Sequence, residues 1–526
     1  MQHDHLGLPA GGNQGLGTWP RRRARMSPGA EALSQGDRRL TYAQLADRVG
    51  RWATVLAGLG VRPGDRVAWL GANDIATFEA FFATGLLGGI FVPLNTRLAA
   101  VEVRYMLGDS GASVLVLGAG VDHLVPEVRA SVPVVLSAAG EHATIPAVEE
   151  LLRHANPLDT EPEVSLDLPA LVLYTSGTTG RPKGAVLTHG NLTWNTVNQL
   201  VQFDLHGSER SLCIAPLFHA VGLGQITLPT LLKGGRVEVV TKFDAGTILE
   251  LIDRQRVTSF SCVPTMLQLM SEHPSWPLVD LSSLQNVVYG GSTVNERVAR
   301  KWLDRGVRVL QGYGMTEAGP GVYMQVHEGA AEHPTSMGMP HFFTDVAHLG
   351  DDGRVTNIEP GGPGRELLIR GPHVFAGYWQ RPAETHETRV DGRWFRTGDV
   401  VRSDPDGWSY VVDRVKDVII SGGENIYPAE VEAVAVAFDG VRSAAVVAIP
   451  DDRWGEVGVA FIEPYPGAQV DEAALRRHLE AQLARFKVPR VIRFVGELPR
   501  NATGKVLRVR LREQAHAATV DTRKNS

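Results

Sequence analysis

Six residues bearing only hydroxyls or no side chain, Thr175, Ser176, Gly177, Thr178, Thr179 and Gly180, follow directly on the apolar run Ala170–Tyr174, and Lys183 stands just beyond them. Glycines let backbone N–H groups converge on one anion, hydroxyls donate further hydrogen bonds, and an ammonium adds a point charge. The combination suits phosphate. A plain surface turn has no need of such a set behind a buried strand. The spacing differs from the P-loop pattern G-x-x-x-x-G-K-[ST], because Gly177 and Gly180 stand too close and Gly184 follows Lys183. Gly118 and Gly120 follow the apolar run Ser113–Leu117, but His123 occupies the place where a dinucleotide fingerprint needs its third glycine. Other chemistries lack their residues. The 17 histidines are scattered and the only cysteines, Cys213 and Cys262, lie far apart, so no zinc spacing exists. No G-x-S-x-G elbow marks a serine hydrolase.

Such a loop must be held by a scaffold, and 526 residues are too many for one core, since single cores stop growing at roughly 250–300 residues. Helical periodicity followed by a short apolar run recurs through the first 400 residues. Thr41–Leu59 precedes Arg66–Leu70, Ile75–Leu87 precedes Ile90–Val92, and Tyr105–Leu107 precedes Val114–Leu117. Later, Ala245–Arg254 precedes Ser259–Val263, and Glu296–Arg305 precedes Val307–Leu310. That alternation predicts βαβ units and mainly parallel sheets covered on both faces. Near residue 400 the texture changes. Val400–Ser403 and Trp408–Asp413 flank the turn Asp404-Pro405-Asp406-Gly407, which predicts a hairpin. The charged run Asp413–Asp417 then forms a junction, with strands expected at Ala444–Ile449 and Val459–Glu463 and a helix over Asp471–Arg485. The expected architecture is α/β. A large N-terminal body of parallel and mixed sheets with helices covers 1–415, and a small mobile α+β domain covers 416–526.

Several further segments carry a family resemblance when taken with the loop. They are Tyr174–Gly184, Tyr313–Glu317 (Tyr-Gly-Met-Thr-Glu), Phe395–Asp399 (Phe-Arg-Thr-Gly-Asp), Asp413–Asp417 and Pro499–Lys505. In this order they resemble the adenylate-forming superfamily of acyl-CoA synthetases, peptide-synthetase adenylation domains and firefly-type luciferases. The resemblance runs from Leu40 to Lys505. It implies ATP-dependent conversion of a carboxylic acid to an acyl-AMP with release of pyrophosphate, then transfer of the acyl group to a thiol, CoA in the acyl-CoA synthetases.

The same resemblance assigns roles residue by residue. Thr175, Ser176, Gly177, Thr178, Thr179 and Lys183 would cradle the departing phosphates. Thr316 would contact the α-phosphate and Glu317 would hold Mg²⁺, a hard cation suited to a carboxylate. Tyr313 would stack on adenine, with Gly291, Ser292, Gly312 and Gly314 lining the adenine and acyl pockets. Asp399 would accept the ribose hydroxyls beside Arg414. Lys505 would act as the catalytic lysine between carboxylate and α-phosphate, where two anions must be brought together. His219, in Pro216–His219, matches a segment that gates the acyl pocket, although a structural histidine remains the alternative there. Lys416 would be a hinge, a place where the family often carries Asp. Rotation about it would replace Lys505 by the turn at Ser421, Gly422 and Gly423, whose glycines let pantetheine pass close to backbone.

Composition narrows the partners. A net charge of −6 argues against nucleic acid or an anionic membrane as the main partner. The most apolar stretch, Ile75–Leu94, contains Glu79, Gly85, Gly88, Gly89 and Pro93 and reads as a buried helix and strand, so no integral membrane segment is expected. Arg21–Arg25 is basic but lacks an apolar region behind it, so no secretory signal is expected and a cytoplasmic enzyme is. A homodimer stays open. No acid in the pocket segments matches the Asp that grips an α-amino group in amino-acid-activating relatives, which favours a fatty, aryl or other non-amino acid. An acceptor other than CoA (a carrier protein, an amine, or an oxyacid such as nitrite) remains the alternative. A non-catalytic scaffold fits poorly with retained Lys505, Glu317 and Asp399.

Overall fold

Helix starts follow local chemistry. The helix Tyr42–Gly58 opens at Thr41, whose hydroxyl accepts from Gln44 N while the Gln44 side chain accepts from Thr41 N, a reciprocal capping box. Asp74 caps Ile75–Leu86 and Asp244 caps Ala245–Gln255 in the simpler one-sided way. The computed structural model describes residues 12–138, 140, 144–175, 182–291, 296–326, 329–421, 424–451, 454–501 and 504–524. Ser176, Gly177, Thr178, Thr179, Ser292, Gly422 and Gly423 therefore lie outside the described residues.

Among the described residues the strands form four sheets. One has seven strands, in the order Gly377–Tyr378, Lys183–Thr188, Pro169–Thr175, Ile90–Leu94, Arg66–Leu70, Val114–Leu117 and Val134–Ser137. Its last five strands run parallel, and Lys183–Thr188 turns back antiparallel on Pro169–Thr175. The nine-stranded sheet has a parallel centre, Val309–Met315, Asn286–Tyr289, Ser259–Cys262, Arg210–Cys213 and Arg236–Val239, with antiparallel strands at its edges. Helix Ile75–Leu86 and strand Ile90–Leu94 are buried throughout, as their apolar content requires. The helix and Phe91 belong to one large core shared by these two sheets, whereas Ile90, Val92 and Leu94 join a second core with helix Ala100–Ser110.

A third, wholly antiparallel sheet joins Asp345–Leu349, Arg365–Arg370, Trp394–Ser403 and Ser409–Arg414 with shorter strands. Only its last hairpin is legible in sequence. The fourth sheet is built from Ile419–Ser421, Glu424–Ile426, Val441–Asp451, Gly455–Pro464 and Val491–Phe494. Helices Pro428–Ala437 and Glu472–Gln482 cover one of its faces, and the start of Arg508–Lys524 packs on the other. This is the smaller C-terminal domain, with cores of its own.

Candidate active site

Parallel strands bring their carboxyl ends to one edge, where chain leaving the sheet can meet ligands. Four segments converge there. Arg210–Cys213 leads to His219, Ser259–Cys262 leads to helix Pro264–Glu272, Asn286–Tyr289 leads to Gly290 and Gly291, and Val309–Met315 leads to the turn at Thr316 and Glu317. Gly291 has φ +89°, a left-handed conformation that favours glycine.

Strand Val309–Met315 presents different chemistry on its two faces, because successive side chains point opposite ways. From one face the Tyr313 hydroxyl donates to Asp399 Oδ2 at 2.7 Å. Gly312 and Gly314 share the other. Asp399 is paired across the antiparallel ladder with Arg414, and Arg414 Nε stands 3.1 Å from Asp399 Oδ1. The Asp399 carboxylate is thus buried with both oxygens engaged, an arrangement that a charged group needs in a low dielectric. Burial and the adjacent carboxylate push the Tyr313 phenol well above its ordinary range, so it stays a donor.

Lys505 joins this group from the C-terminal domain. Its turn is closed by Asn501 N donating to Lys505 O at 2.8 Å and Lys505 N donating to Asn501 Oδ1 at 2.9 Å. Gly504, at φ +77°, is pressed so close to the body that a Cβ there would stand 2.8 Å from Thr265 Oγ1. The lysine itself is exposed. Desolvation by the nearby protein nevertheless pushes its ammonium down to about 8. Arg414 and Lys416 add to that depression, while Asp399 and Asp417 oppose it. Packing of Gly504 on Thr265 sets the Lys505 turn against the N-terminal body, close enough to Asp399 and Arg414 for their charges to act on the ammonium. Ser421 is buried in the C-terminal sheet opposite Gly455 and shares no hydrogen bond or ion pair with this group among the described residues.

The ends of the phosphate-loop hairpin are fixed. Thr175 pairs with Lys183 across the ladder. Lys183 forms an ion pair with Glu384 and lies 5.6 Å from the centroid of the Tyr378 ring. The Tyr378 hydroxyl donates to Glu317 Oε1 at 2.8 Å. Tyr174 donates to Asp109 Oδ2 at 2.9 Å, and Arg381 binds the other oxygen at 2.6 Å, which anchors the base of the hairpin. Tyr378, Glu384, Asp109 and Arg381 escaped the sequence reading. Their contacts span tens to hundreds of residues and leave no local pattern.

His219 lies at the start of the short helix Ala220–Gly224, with Nε2 buried and unpartnered among the described residues. Burial, aided by Arg97, pushes it down to about 4, so the imidazole is neutral near pH 7. That suits a pocket wall better than a charged group. Glu317 fits a magnesium role by its donor chemistry. It is one fixed carboxylate beside a hydroxyl, and Mg²⁺ characteristically takes one or two carboxylates, waters and phosphate oxygens. Among the described residues no group of three His, Cys, Asp or Glu side chains could hold a metal by itself.

Comparisons with known proteins agree with this geometry. The AMP-binding enzyme family matches residues 20–379, and the AMP-binding enzyme C-terminal domain matches 430–505. A feruloyl-CoA synthase of Amycolatopsis sp is 49% identical over 502 residues, covering 95% of this chain and 99% of that protein. An indoleacetate–CoA ligase of Aromatoleum aromaticum is 39% identical, covering 93% and 96%. The solved structure of o-succinylbenzoate CoA synthetase from Bacillus subtilis, in complex with its acyl-adenylate intermediate, superposes with TM-score 0.84 at 32% identity, covering 94% and 97%. With matches that run nearly end to end, the chain belongs to the AMP-binding enzyme family and, within it, to the AMP-forming acid–CoA ligases.

Proposed function

We propose that this ligase activates an aryl-propenoic acid of the ferulate type. The observation that carries the reading is the 49% identity to a feruloyl-CoA synthase over almost the whole of both chains. In the first half-reaction a carboxylate oxygen of the acid attacks the α-phosphorus of ATP, and the bond to the pyrophosphate oxygen breaks. In the second the CoA thiolate attacks the acyl carbonyl, and the bond to the AMP oxygen breaks.

The residues divide this work. Asp399 and Arg414 hold the ribose, with Tyr313 against the base. Thr175, Ser176, Gly177, Thr178, Thr179 and Lys183 receive the β- and γ-phosphates, for which Lys183 exchanges Glu384. Thr316 bonds the α-phosphate. Glu317, steadied by Tyr378, holds Mg²⁺, which when bound neutralises phosphate charge. The ammonium of Lys505 offsets the negative charge that gathers as the carboxylate approaches phosphorus. The boundary between the two domains falls at Lys416, in the turn that follows strand Ser409–Arg414. Rotation there carries Lys505 away and brings Ser421, Gly422 and Gly423 to the pantetheine. Two free buried cysteines support a cytoplasmic setting, and no described helix is long and apolar enough to cross a membrane.

Two measurements test the reading. Across a panel of aliphatic, aryl and aryl-propenoic acids with ATP and CoA, thioester formation should have its highest kcat/KM with 4-hydroxy-3-methoxycinnamic acid. A preference for saturated fatty acids would overturn the substrate assignment. In pyrophosphate exchange, kcat/KM for ATP should fall on the alkaline side with an apparent pKa of about 8, because a lysine with a depressed pKa loses its charge as pH rises through that value. Lys505→Arg should remove that limb, since a guanidinium stays charged. An unchanged limb in the Arg variant would assign it to another group.

A further inference from the structure

Helix Ala220–Gly224 is bracketed by polar side-chain atoms that have no hydrogen-bond partner among the described residues. At its start is His219 Nε2; at its end is Gln225, whose Oε1 and Nε2 are both buried and unpartnered. Gln225 is fully enclosed, at 0% exposure. Buried amides are almost always satisfied, so one with no bond among the described residues points to a partner that binds from outside. Its surroundings say where that partner sits. A Cβ on Gly312 would stand 2.3 Å from Gln225 Nε2, and one on Gly290 would stand 3.8 Å from Oε1. The amide therefore lies against the carboxyl ends of Asn286–Tyr289 and Val309–Met315, on the glycine face opposite the one from which Tyr313 reaches Asp399. Thr316 is four residues further along the chain from Gly312, about 13 Å if extended. An aryl-propenoate is shorter than that limit, and the hydrogen bonds at its two ends close the difference when its carboxylate lies at Thr316 and its ring points inward.

We infer that Gln225 is a specificity-determining residue that reads an oxygen substituent on the far side of the acid's ring. A phenolic hydroxyl donates to Oε1, and a ring oxygen accepts from Nε2. This deepens the aryl-acid assignment and rests on it. A pocket built to bond a substrate hydroxyl discriminates strongly against the analogue that lacks it, because the polar group is then left unpaired. Gly312 is glycine for the same reason, since the amide occupies the space its Cβ would need.

The test compares kcat/KM for thioester formation with 4-hydroxy-3-methoxycinnamic and unsubstituted cinnamic acid. It uses the full-length enzyme, Gln225→Leu and the near-isosteric Gln225→Met, with melting temperatures recorded. The native enzyme should prefer the substituted acid by at least about tenfold. In either folded variant the ratio should fall toward one, as the substituted acid loses and the plain acid gains. If the leucine variant does not fold, the methionine variant carries the test. A native ratio near one, or a ratio unchanged in the variants, overturns the role of Gln225 and leaves an enclosed water as its partner. Turnover of neither acid, with another acid accepted, overturns the aryl-acid assignment and this inference together.

Discussion

Lys505→Ala is expected to lower pyrophosphate exchange by about a thousandfold, the upper range for loss of one preorganised charge donor, while thioester formation from supplied acyl-AMP and CoA keeps most of its rate. The split follows from the geometry. Lys505 stands in a tight turn, with Gly504 packed against Thr265 of the body, where the charges of Asp399 and Arg414 act on it. In the proposed mechanism its ammonium acts where carboxylate and α-phosphate meet. The second half-reaction joins a thiolate to a carbonyl that is already activated, and in the proposed mechanism it uses the other side of the C-terminal domain. Equal loss of both steps would refute the divided roles. Retention of exchange would remove Lys505 from the chemistry altogether.

The second large effect is expected at Asp399. Its two oxygens accept from the Tyr313 hydroxyl and face the Arg414 guanidinium. Asp399→Ala leaves a buried phenol without an acceptor and Arg414 without its counter-charge. The cost to folding should be about 1–3 kcal/mol, the usual penalty for an orphaned buried partner, read from urea unfolding. The ribose loses its acceptor as well, so KM for ATP should rise by about a hundredfold, equivalent to one or two charged hydrogen bonds. Asp399 also raises the pKa of Lys505, so its removal should shift the alkaline limb of exchange below the native value. Asp399→Asn, which keeps the shape and an acceptor for Tyr313, should recover the stability but not that shift. If Asp399→Ala left ATP affinity unaltered, the carboxylate would be structural only.

What could be read in advance divides along physical lines. Strands such as Arg66–Leu70 and Val114–Leu117 and helices such as Tyr42–Gly58 were legible because burial on both faces leaves continuous apolar runs and burial of one helix face leaves a helical period. The antiparallel sheet after residue 344 was mostly hidden. Strands such as Val355–Thr356 and Arg389–Val390 have two residues each, too few to show any period. The phosphate-loop hairpin could be argued from residue types alone. Lys505 and Asp399 could not, since a lysine in a turn and an isolated aspartate look like ordinary surface groups; only the resemblance raised them, and the fold then brought them together. Glu317 and Tyr378, 61 residues apart, meet through tertiary structure with no sequence trace. Gln225 had a weak signal: a lone amide in a stretch of glycine and apolar residues, meaningful only once its burial and lack of partners were visible.

The most direct test of the central claim, attack of the carboxylate on the α-phosphorus, is isotope transfer. The enzyme is given ATP, CoA and 4-hydroxy-3-methoxycinnamic acid labelled with ¹⁸O in both carboxylate oxygens, and the AMP is analysed by mass spectrometry. Because one carboxylate oxygen becomes the bridge to phosphorus and leaves with AMP when the thiolate attacks, each AMP should carry one ¹⁸O and each thioester should retain one. Unlabelled AMP formed together with the thioester would contradict the account.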